Sequence, residues 1–427
     1  MEVAILHYHL NPGGVTRVIE AQVKGLLTQP GKLKLSLISG TSGQNFHEPM
    51  PVHTSDLLFY NEDDDCPEDI LHKVNSVIDF LKRVTTKRTV LHCHNINLGK
   101  NPVLTLAIYE LALQGYRILN HIHDFPEDRP ANLSRLGQYV AAHGSESASE
   151  VLYPSLSNYH YAVLTMCDYE RIALKDISPS RIHLLPNCVM PSGKEAGRAH
   201  TSGIRKTLGI DPGKILCTYP VRAIARKNIG ELVLLAALFK DSCRFAITLA
   251  PLNPLEIPLY SNWKAFCESR GIPVIFEAAE KVNFNKLLAS SDFCISTSIR
   301  EGFGMTFLEP WQAGVPVIGR ELPCVINDLK AKGLIFPRLY PAVLVSVGNE
   351  PVDFGHLSAG NQELIVQGIM GNTAARQQIV TDNPFLENFF DPVSPEIIEN
   401  NRSVIQQHFS ADQYGRELFR IYREVSC

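Results

Sequence analysis

The sequence predicts an α/β protein made of two doubly wound domains, each built on a parallel sheet. Its 427 residues exceed the roughly 250–300 residues that one hydrophobic core usually supports. Short runs rich in Val, Ile and Leu alternate with longer segments whose apolar residues recur every three to four positions, which is a strand and helix alternation. This series occurs twice, before and after a stretch rich in Pro, Ser, Gly, Lys and Arg. We therefore expect two such domains that face a cleft.

The predicted strands are apolar runs without polar alternation, as in parallel strands that are buried on both faces. In the first half they are Val3–Leu6, Leu33–Ile38, Thr89–Leu91, Arg117–Ile122, Tyr161–Leu164 and Ile182–Leu185. In the second half they are Ile215–Tyr219, Phe245–Leu249, Val274–Phe276, Phe293–Ser296, Val315–Ile318 and Leu334–Phe336. Helical patterns lie between them, for example at Val15–Leu27, Ile70–Val84 and Pro102–Gln114.

The change in composition sets the expected domain boundaries. Residues 1–190 form the predicted N-terminal Rossmann-like domain, residues 191–206 the linker, and residues 207–401 the C-terminal Rossmann-like domain. Residues 402–427 carry an amphipathic pattern, so we expect a terminal helix that crosses back to the first domain.

Charge and hydropathy exclude several classes of protein. Lys plus Arg number 40 and Asp plus Glu 44, which gives a net charge of -4 and argues against a nucleic-acid partner. No apolar run approaches the roughly 18 residues of a membrane span, and the N-terminus lacks the basic and apolar regions of a signal peptide. We therefore expect a cytoplasmic protein without a transmembrane segment.

The segment after the predicted strand Phe293–Ser296 carries the clearest chemistry, because open parallel sheets bind ligands at the carboxyl ends of their strands. Gly302 and Gly304 predict a tight turn that presents the amides of residues 304–306 to a phosphate at a helix N-terminus. Glu301 and Glu309 flank that turn. Carboxylates repel phosphate, so we expect them to accept hydrogen bonds from hydroxyls, one set on a sugar and one on a ribose.

Two cations follow the first strand of the second domain. Arg222 and Lys227 lie in a loop that leads into a helix. Beside an amide-lined phosphate site, they would neutralise a diphosphate. Either residue alone could equally be a solvated loop charge, so the interpretation depends on their combination with the glutamate pair.

These residues together resemble a known family, the retaining nucleotide-sugar glycosyltransferases of family 4, which have the GT-B fold. The match covers almost the whole chain and follows the family's order and spacing. It consists of Glu301 and Glu309 with Gly302-Phe303-Gly304 between them, Arg222 and Lys227, Gly13-Gly14-Val15, Pro186-Asn187, and the closing Phe409, Ser410, Tyr414 and Tyr422.

The resemblance implies an acceptor domain, a donor domain and a role for each matched residue. Arg222 and Lys227 would bind the diphosphate and Glu309 the ribose. The donor sugar and its phosphate would contact Gly14, Glu301, Gly302, Phe303, Gly304, Met305 and Thr306. A family histidine close to the transferred sugar matches His123, so His123, Glu301, Arg222 and Lys227 are the expected catalytic set.

Three His-x-His pairs, His7/His9, His92/His94 and His121/His123, end predicted strands of the first domain. Alternation places the members of each pair on one face of the strand. Only one face of a strand looks into the cleft, so some of the six are ordinary packed histidines. A metal site is the competing interpretation, since histidine is a common zinc ligand. A second rival, the metal-binding Asp-x-Asp of another transferase fold, is imitated by Asp63-Asp64-Asp65, which we interpret as an acidic loop before a helix.

We expect, in sum, a metal-independent retaining hexosyltransferase with no cofactor. Its acceptor would be small and hydrophilic, with His94, His121, Asp124 and Arg129 as candidate contacts. Arg17, Lys100 and Arg129 flank first-domain loops and favour an anionic acceptor, such as a sugar phosphate or a hydroxy acid, although solvated surface charges are an equally good interpretation of them. The alternatives are a non-catalytic sugar-nucleotide-binding protein and a metal-dependent hydrolase that uses the histidine pairs.

Overall fold

The computed structural model describes residues 1–41, 50–60, 68–145, 147–190, 201–348 and 350–426. The chain divides into two compact units. Unit 1 comprises Met1–Cys188 and His408–Cys427, and unit 2 comprises Val189–Gln407. Among the described helices, none is long and apolar enough to cross a membrane.

Unit 1 contains a parallel sheet of seven strands in the order β3-β2-β1-β4-β5-β6-β7. The strands are β1 (Glu2–His7), β2 (Lys34–Ser39), β3 (Val52–Thr54), β4 (Thr89–His94), β5 (Arg117–Ile122), β6 (Tyr159–Val163) and β7 (Ile182–Leu184). The helices are α1 (Gly14–Leu27), α2 (Ile70–Val84), α3 (Pro102–Leu113), α4 (Pro130–His143), α5 (Ala148–Leu152) and α6 (Met166–Ala173).

Strand alternation divides the core of unit 1 between the two faces of its sheet. In β1, Val3 and Ile5 pack with apolar residues of α1, whereas Ala4 and Leu6 pack with those of α2 and α3. Because both faces are covered, the strands need apolar residues at successive positions, which is why they read as continuous apolar runs.

Unit 2 contains a parallel sheet of six strands in the order β10-β9-β8-β11-β12-β13 and an antiparallel pair, β14-β15. The strands are β8 (Ile215–Arg222), β9 (Cys243–Leu249), β10 (Val274–Ile275), β11 (Phe293–Ser296), β12 (Val317–Arg320), β13 (Leu339–Tyr340), β14 (Leu344–Val347) and β15 (Glu350–Asp353). The helices up to α12 are α7 (Thr201–Thr207), α8 (Ile229–Leu238), α9 (Ile257–Arg270), α10 (Ala278–Lys281), α11 (Phe284–Ala289) and α12 (Glu309–Gln312). The remaining helices of the chain are α13 (Pro323–Ala331), α14 (Ala359–Ile369), α15 (Thr373–Asp382), α16 (Pro395–His408) and α17 (Ala411–Val425).

The structure confirms eleven of the twelve predicted strands, each of which overlaps an observed one. The predicted strand Leu334–Phe336 is wrong, because the sheet pairing occurs five residues later, where Leu339 and Tyr340 align with β12. Strand β3 and the β14-β15 pair were not predicted. Their alternating or exposed residues lack the apolar run that marks a buried strand.

Two further differences concern the linker and the C-terminus. Part of the predicted linker is helical, since α7 spans Thr201–Thr207. The single terminal helix predicted for residues 402–427 is divided into α16 and α17. The break has a local cause, because the Ser410 hydroxyl accepts a hydrogen bond from the amide of Gln413 (3.3 Å) and caps a new helix there.

Helix α17 packs against α1 within unit 1, and two glycines allow the contact. A Cβ atom on Gly415 would lie 2.1 Å from the carbonyl oxygen of Gly25, and one on Gly25 would lie 2.1 Å from that of Ala411. Neither backbone can yield to such an overlap without moving a helix. The close approach lets residues of α17, including Tyr414 and Tyr422, become buried in unit 1.

We expect Gly415→Ala to lower the free energy of unfolding by about 1–3 kcal/mol, because the new methyl group collides with backbone. The matched control is Gly137→Ala in α4, where an added Cβ meets nothing within 4 Å. That control should be neutral or raise the free energy of unfolding by about 0.4–1 kcal/mol. Urea denaturation measures both, and equal effects of the two substitutions would contradict the close packing of α1 and α17.

Candidate active site

The candidate site in unit 2 lies at the carboxyl ends of two neighbouring strands, β8 and β11. After β8, residues Ala225–Lys227 form a 3-10 turn, and Asn228 adopts a left-handed conformation (φ 50°) before α8 begins. After β11, the chain continues through Ser298 to Glu301. Parallel strands place these two loops at the same edge of the sheet.

Glu301 is the centre of this site. Its carboxylate accepts hydrogen bonds from the Lys227 ammonium, from Arg226 Nη1 (3.1 Å) and from the Ser298 hydroxyl (2.6 Å). The Glu301 and Lys227 side chains are only 6% and 10% exposed, whereas that of Arg226 is 34% exposed. Burial lowers the pKa of Lys227, and Glu301 opposes this shift by favouring the charged ammonium.

The loop that carries Lys227 is held by hydroxyl groups. The carbonyl of Lys227 accepts hydrogen bonds from Thr297 Oγ1 (3.0 Å) and from the Tyr219 hydroxyl (3.1 Å). The Tyr219 hydroxyl also lies 2.5 Å from Ser298 Oγ. The main chain at Lys227 is therefore fixed from β8 and from the segment after β11.

The glycine turn is present, but the helix that follows it is shorter than expected. Gly304 has a φ of 81°, and a Cβ atom there would lie 2.9 Å from both Phe307 and Val325, so the position requires glycine. A 3-10 turn at Met305–Phe307 and the four-residue α12 replace the regular helix predicted after the turn. The turn closes through the amide of Phe307, which donates to the Gly304 carbonyl (2.8 Å).

The remaining donor candidates take separate positions around this turn. Phe303 and Thr306 are buried, and Gly302 and Met305 are partly buried. Glu309 is partly buried and begins α12.

The two predicted cations differ in their contacts. Arg222 Nη1 donates to the carbonyl of Ala250 (2.7 Å), while Lys227 binds Glu301. The other cation on Glu301 is Arg226, which the sequence analysis did not select. The available signal was its position next to Lys227 in the same loop.

The candidate site in unit 1 is a cluster of imidazoles at the ends of β1, β4 and β5, which are adjacent in the sheet. Ring centroids are 4.5 Å apart for His92 and His94, and 4.3 Å apart for His121 and His123. The alternation predicted for the His-x-His pairs is thus confirmed. The expectation that some of the six are packed residues also holds, because His92, His94 and His121 are fully buried.

Hydrogen bonds connect these rings to each other and to α17. His92 lies 2.7 Å from the Tyr422 hydroxyl through Nδ1 and 3.2 Å from His121 Nδ1 through Nε2. His94 lies 2.9 Å from His123 Nε2 through Nδ1. The second nitrogen of His94 lies 3.0 Å from the side-chain oxygen of Gln22 on α1.

Three of these histidines approach the geometry of a metal site. One nitrogen each from His92, His94 and His121 lies within 4.8 Å of the others. However, both nitrogens of His92 and of His94 already have hydrogen-bond partners in the protein. The donor set therefore fits a hydrogen-bonded cluster better than a metal ion.

The loop after β5 presents the partly exposed residues of the cluster. His123, Asp124 and Arg129 are each accessible in part, and Arg129 lies 4.0 Å from the Asp124 carboxylate. Asn95 has a left-handed backbone (φ 56°). Its side-chain oxygen accepts hydrogen bonds from the backbone amides of His123 (2.7 Å) and Asp124 (3.2 Å). Sequence analysis did not select Asn95, because nothing in its neighbourhood distinguishes it from other polar loop residues.

The predicted acceptor contacts differ in burial. His94 and His121 have no exposed surface and pack among other rings of unit 1, whereas Asp124 is half-buried and Arg129 is exposed. All four remain predictions. Gly14 begins α1, is exposed, and has nothing within 4 Å of an added Cβ. Asp63-Asp64-Asp65 lies outside the described residues.

Burial keeps the imidazole cluster neutral. It lowers the pKa of His7 and His92 to about 3 and holds the pKa of His94, His121 and His123 well below the usual histidine value. Neighbouring imidazoles add to these shifts. Each ring therefore carries one proton at neutral pH and offers one donor and one acceptor nitrogen.

Comparison with solved structures identifies the fold. HepE from Anabaena, in complex with UDP-glucose, has a TM-score of 0.61 with 14% identity, and the match covers 98% of both chains. Sucrose-phosphate synthase from Thermosynechococcus elongatus has a TM-score of 0.61 with 13% identity over 99% of this chain and 98% of its own. The catalytic domain of starch synthase IV from Arabidopsis thaliana, bound to ADP and acarbose, has a TM-score of 0.61 with 13% identity over 100% and 99%.

These structures confirm that the chain has the GT-B fold, the architecture of nucleotide-sugar glycosyltransferases. One curated relative, a mannosylglucosyl-3-phosphoglycerate synthase from Petrotoga mobilis, is 29% identical over 342 residues. The match covers 76% of this chain and 66% of that protein, so the chain spans about two thirds of its relative's length. No family model matches the chain. The resemblance to glycosyltransferases is thus confirmed, and membership of family 4 stays a prediction.

Acid should destabilise the protein through the imidazole cluster. Each buried histidine is neutral when folded but protonates below about pH 6.5 when unfolded, so the unfolded state binds more protons and folding weakens as pH falls. Between pH 7 and about 5.5 this costs about 1 kcal/mol per histidine.

The test compares His92→Gln with His356→Gln, whose side chain is 75% exposed. Urea denaturation at the two pH values should show that His92→Gln, and not the exposed control, reduces the acid-induced loss by about 1 kcal/mol. A loss that is the same in both variants would contradict the neutral state of His92.

Proposed function

We propose that the protein is a retaining glycosyltransferase that moves a hexose from a nucleoside-diphosphate sugar to a small, hydrophilic and anionic acceptor without a metal ion. The observation that carries this proposal is the pairing of Lys227 and Arg226 with the buried carboxylate of Glu301 at the ends of β8 and β11. This arrangement places two cations beside a glycine turn, together with a carboxylate that can accept hydrogen bonds from hydroxyl groups. A donor that carries both a diphosphate and a sugar uses all of these groups.

The charges suit a departing diphosphate. Breaking the anomeric carbon–oxygen bond leaves negative charge on the β-phosphate, and preorganised cations stabilise that charge where it develops. Lys227 supplies a nearly buried ammonium, and Arg226 supplies a more exposed guanidinium that can follow the ligand. Arg222 is the last residue of β8, directly before this loop, so its guanidinium can join them if it exchanges the Ala250 carbonyl for phosphate.

The reaction follows from the leaving group. The bond between the anomeric carbon and the phosphate oxygen breaks, and the acceptor oxygen forms its bond on the same face of the sugar, which retains the configuration. The leaving phosphate oxygen takes the proton of the acceptor hydroxyl. In this scheme Glu301 and His123 hold the sugar hydroxyls, Gly14 leaves room for the donor, and Glu309 holds the ribose.

The relatives support this choice of donor and acceptor. HepE is seen with UDP-glucose and the starch synthase domain with ADP, so this fold accommodates nucleoside diphosphates with different bases. The name of the curated relative describes a phosphoglycerate that carries mannosyl and glucosyl groups. An acceptor of that chemistry is small, hydroxylated and anionic. Its negative charge would suit Arg129 and two other basic residues of unit 1, Arg17 on α1 and Lys100 before α3.

Nucleoside diphosphates should stabilise the purified protein against heat. UDP, GDP and ADP are added separately, each with and without EDTA, since a ligand at about 100 times its Kd adds about 2.7 kcal/mol to the free energy of unfolding. We expect one of the three to raise Tm, and EDTA to leave the shift unchanged. Lys227→Met should abolish the shift, whereas Lys286→Met, at an exposed lysine on α11, should preserve it.

Each outcome of this experiment bears on the proposal. A shift that EDTA removes would refute metal independence. A loss of stability in EDTA alone would favour a metal site at the histidine cluster. Where one diphosphate binds, the corresponding sugars are then tested with a hydroxy-acid glycoside as acceptor, and NMR of the product reports the anomeric configuration. Binding without any transfer would favour a sugar-nucleotide-binding protein.

Gly14→Ala tests whether the donor approaches the start of α1. The structure leaves the position open, and alanine is a good residue for a helix, so the free energy of unfolding should not fall. The extra methyl group should nevertheless lower kcat/KM by about tenfold or more, because it occupies space that a bound donor needs. Steady-state kinetics and urea denaturation measure the two effects, with Gly137→Ala as the control. Normal kinetics in Gly14→Ala would remove Gly14 from the donor site.

A further inference from the structure

Gln22 is a buried polar residue on an otherwise apolar face of α1. It has no exposed surface, and its buried neighbours on that helix include Ile19, Val23 and Leu26. Burying an amide costs free energy unless its donors and acceptor are paired. If this position served packing alone, an apolar side chain would fill it without that cost. The contacts of the Gln22 amide therefore indicate what the polar group does.

The amide of Gln22 contacts the imidazole cluster from two sides. Its oxygen lies 3.0 Å from His94 Nε2, and its nitrogen donates to the Tyr414 hydroxyl at 2.8 Å. The same nitrogen lies 3.4 Å from His121 Nδ1. In this arrangement the nitrogen of the amide faces Tyr414 and its oxygen faces His94.

This orientation determines where the protons of two histidines lie. An amide oxygen only accepts hydrogen bonds, so His94 Nε2 must carry a hydrogen. His94 is neutral because it is buried, so its Nδ1 is an acceptor. The neighbouring nitrogen, His123 Nε2, lies 2.9 Å from it and must therefore be the donor. His123 is neutral as well, which leaves its Nδ1 with a lone pair.

We propose that Gln22 is a positioning residue that acts through His94 to fix His123 in the tautomer protonated on Nε2, so that Nδ1 accepts a hydrogen bond from a hydroxyl of the bound substrate. The effect on His123 is transmitted by the hydrogen bond between the His94 and His123 rings. The choice of a sugar hydroxyl as the partner of Nδ1 rests on the proposed function, whereas the tautomer itself does not.

The structure also explains why the amide must not rotate. Exchanging the oxygen and nitrogen of Gln22 would make His94 Nε2 an acceptor, reverse the hydrogen bond between His94 and His123, and place the hydrogen of His123 on Nδ1. A donor nitrogen could then no longer accept from a hydroxyl. The Tyr414 hydroxyl comes from α17, so the packing of α17 against α1 holds the Gln22 side chain beside His94.

The first measurement is the tautomer of His123 in protein labelled with ¹⁵N-histidine. Long-range proton–nitrogen NMR distinguishes a protonated from an unprotonated ring nitrogen, and a His123→Asn sample assigns the signals. We expect wild-type His123 to be protonated on Nε2 alone. Gln22→Met should produce a mixture of tautomers, while Gln29→Met, at a residue that follows α1 and bonds Asp412, should leave the wild-type spectrum unchanged.

Activity provides the second measurement. Gln22→Met should lower kcat/KM by about tenfold to a hundredfold, because His123 no longer presents a single acceptor nitrogen. It should leave the thermal shift by the nucleoside diphosphate intact, since that ligand is assigned to Lys227 in unit 2. Gln29→Met should retain wild-type kinetics.

A second variant guards against misfolding of Gln22→Met. Tyr414→Phe removes only the oxygen that anchors the amide nitrogen, so it should also produce mixed tautomers at His123. A wild-type His123 protonated on Nδ1, or a single unchanged tautomer in both Gln22→Met and Tyr414→Phe, would overturn the proposal. If the tautomers behave as expected and no donor supports transfer, the proposed function fails and the role of Gln22 in setting the tautomer stands.

Discussion

The buried carboxylate of Glu301 is the constraint on which the unit 2 site depends. A nearly buried charge requires partners, and here Lys227 and Arg226 supply them. Both cations lie in the turn between β8 and α8, so that turn must be held in one conformation. It is held at Asn228, whose left-handed backbone ends the turn and whose side chain donates to the buried carboxylate of Glu231 (2.9 Å). The buried carboxylate of Glu231 thus helps to fix the turn whose two cations neutralise Glu301.

The second acid belongs to a network that extends away from the site. The Glu231 carboxylate pairs with Arg320 and accepts from the Tyr340 hydroxyl (2.8 Å), and Arg320 also pairs with Asp353 (2.7 Å). Burial raises the pKa of Glu231, and Arg320 opposes that shift. Removing one member would leave an uncompensated charge in the core of unit 2, which costs more than the pair itself contributes. The imidazole cluster of unit 1 avoids such charges altogether, because its members are neutral, and both nitrogens of His92 and of His94 have hydrogen-bond partners.

Sequence reasoning found the parts of the site whose chemistry is visible in single residues. Lys227 and Glu301 are a cation and an acid after neighbouring apolar runs, and the structure brings them together. Glu301 pairs with Arg226 because of the conformation of the turn that carries Arg226. The spacing of residues in the sequence does not reveal that conformation. His94 illustrates the same limit in unit 1. Alternation correctly placed it on the face of His92, yet its burial depends on α1 and α17, which cover that face from distant parts of the chain.

The pairing of Lys227 with Glu301 also bears on ligand choice. A ligand that binds the Lys227 ammonium must compete with a carboxylate that is already in place and partly desolvated. An exposed carboxylate or a neutral sugar would interact with the Lys227 ammonium more weakly than Glu301 does. A diphosphate carries more negative charge and several acceptor oxygens, so it would interact more strongly. Under the proposed function, a diphosphate that took over the Lys227 ammonium would remove one of the partners of Glu301, and the carboxylate could then accept a hydrogen bond from a hydroxyl. Binding of the diphosphate and binding of the attached sugar would thus be favourably coupled, because a sugar hydroxyl would replace the hydrogen bond that Glu301 loses to the phosphate.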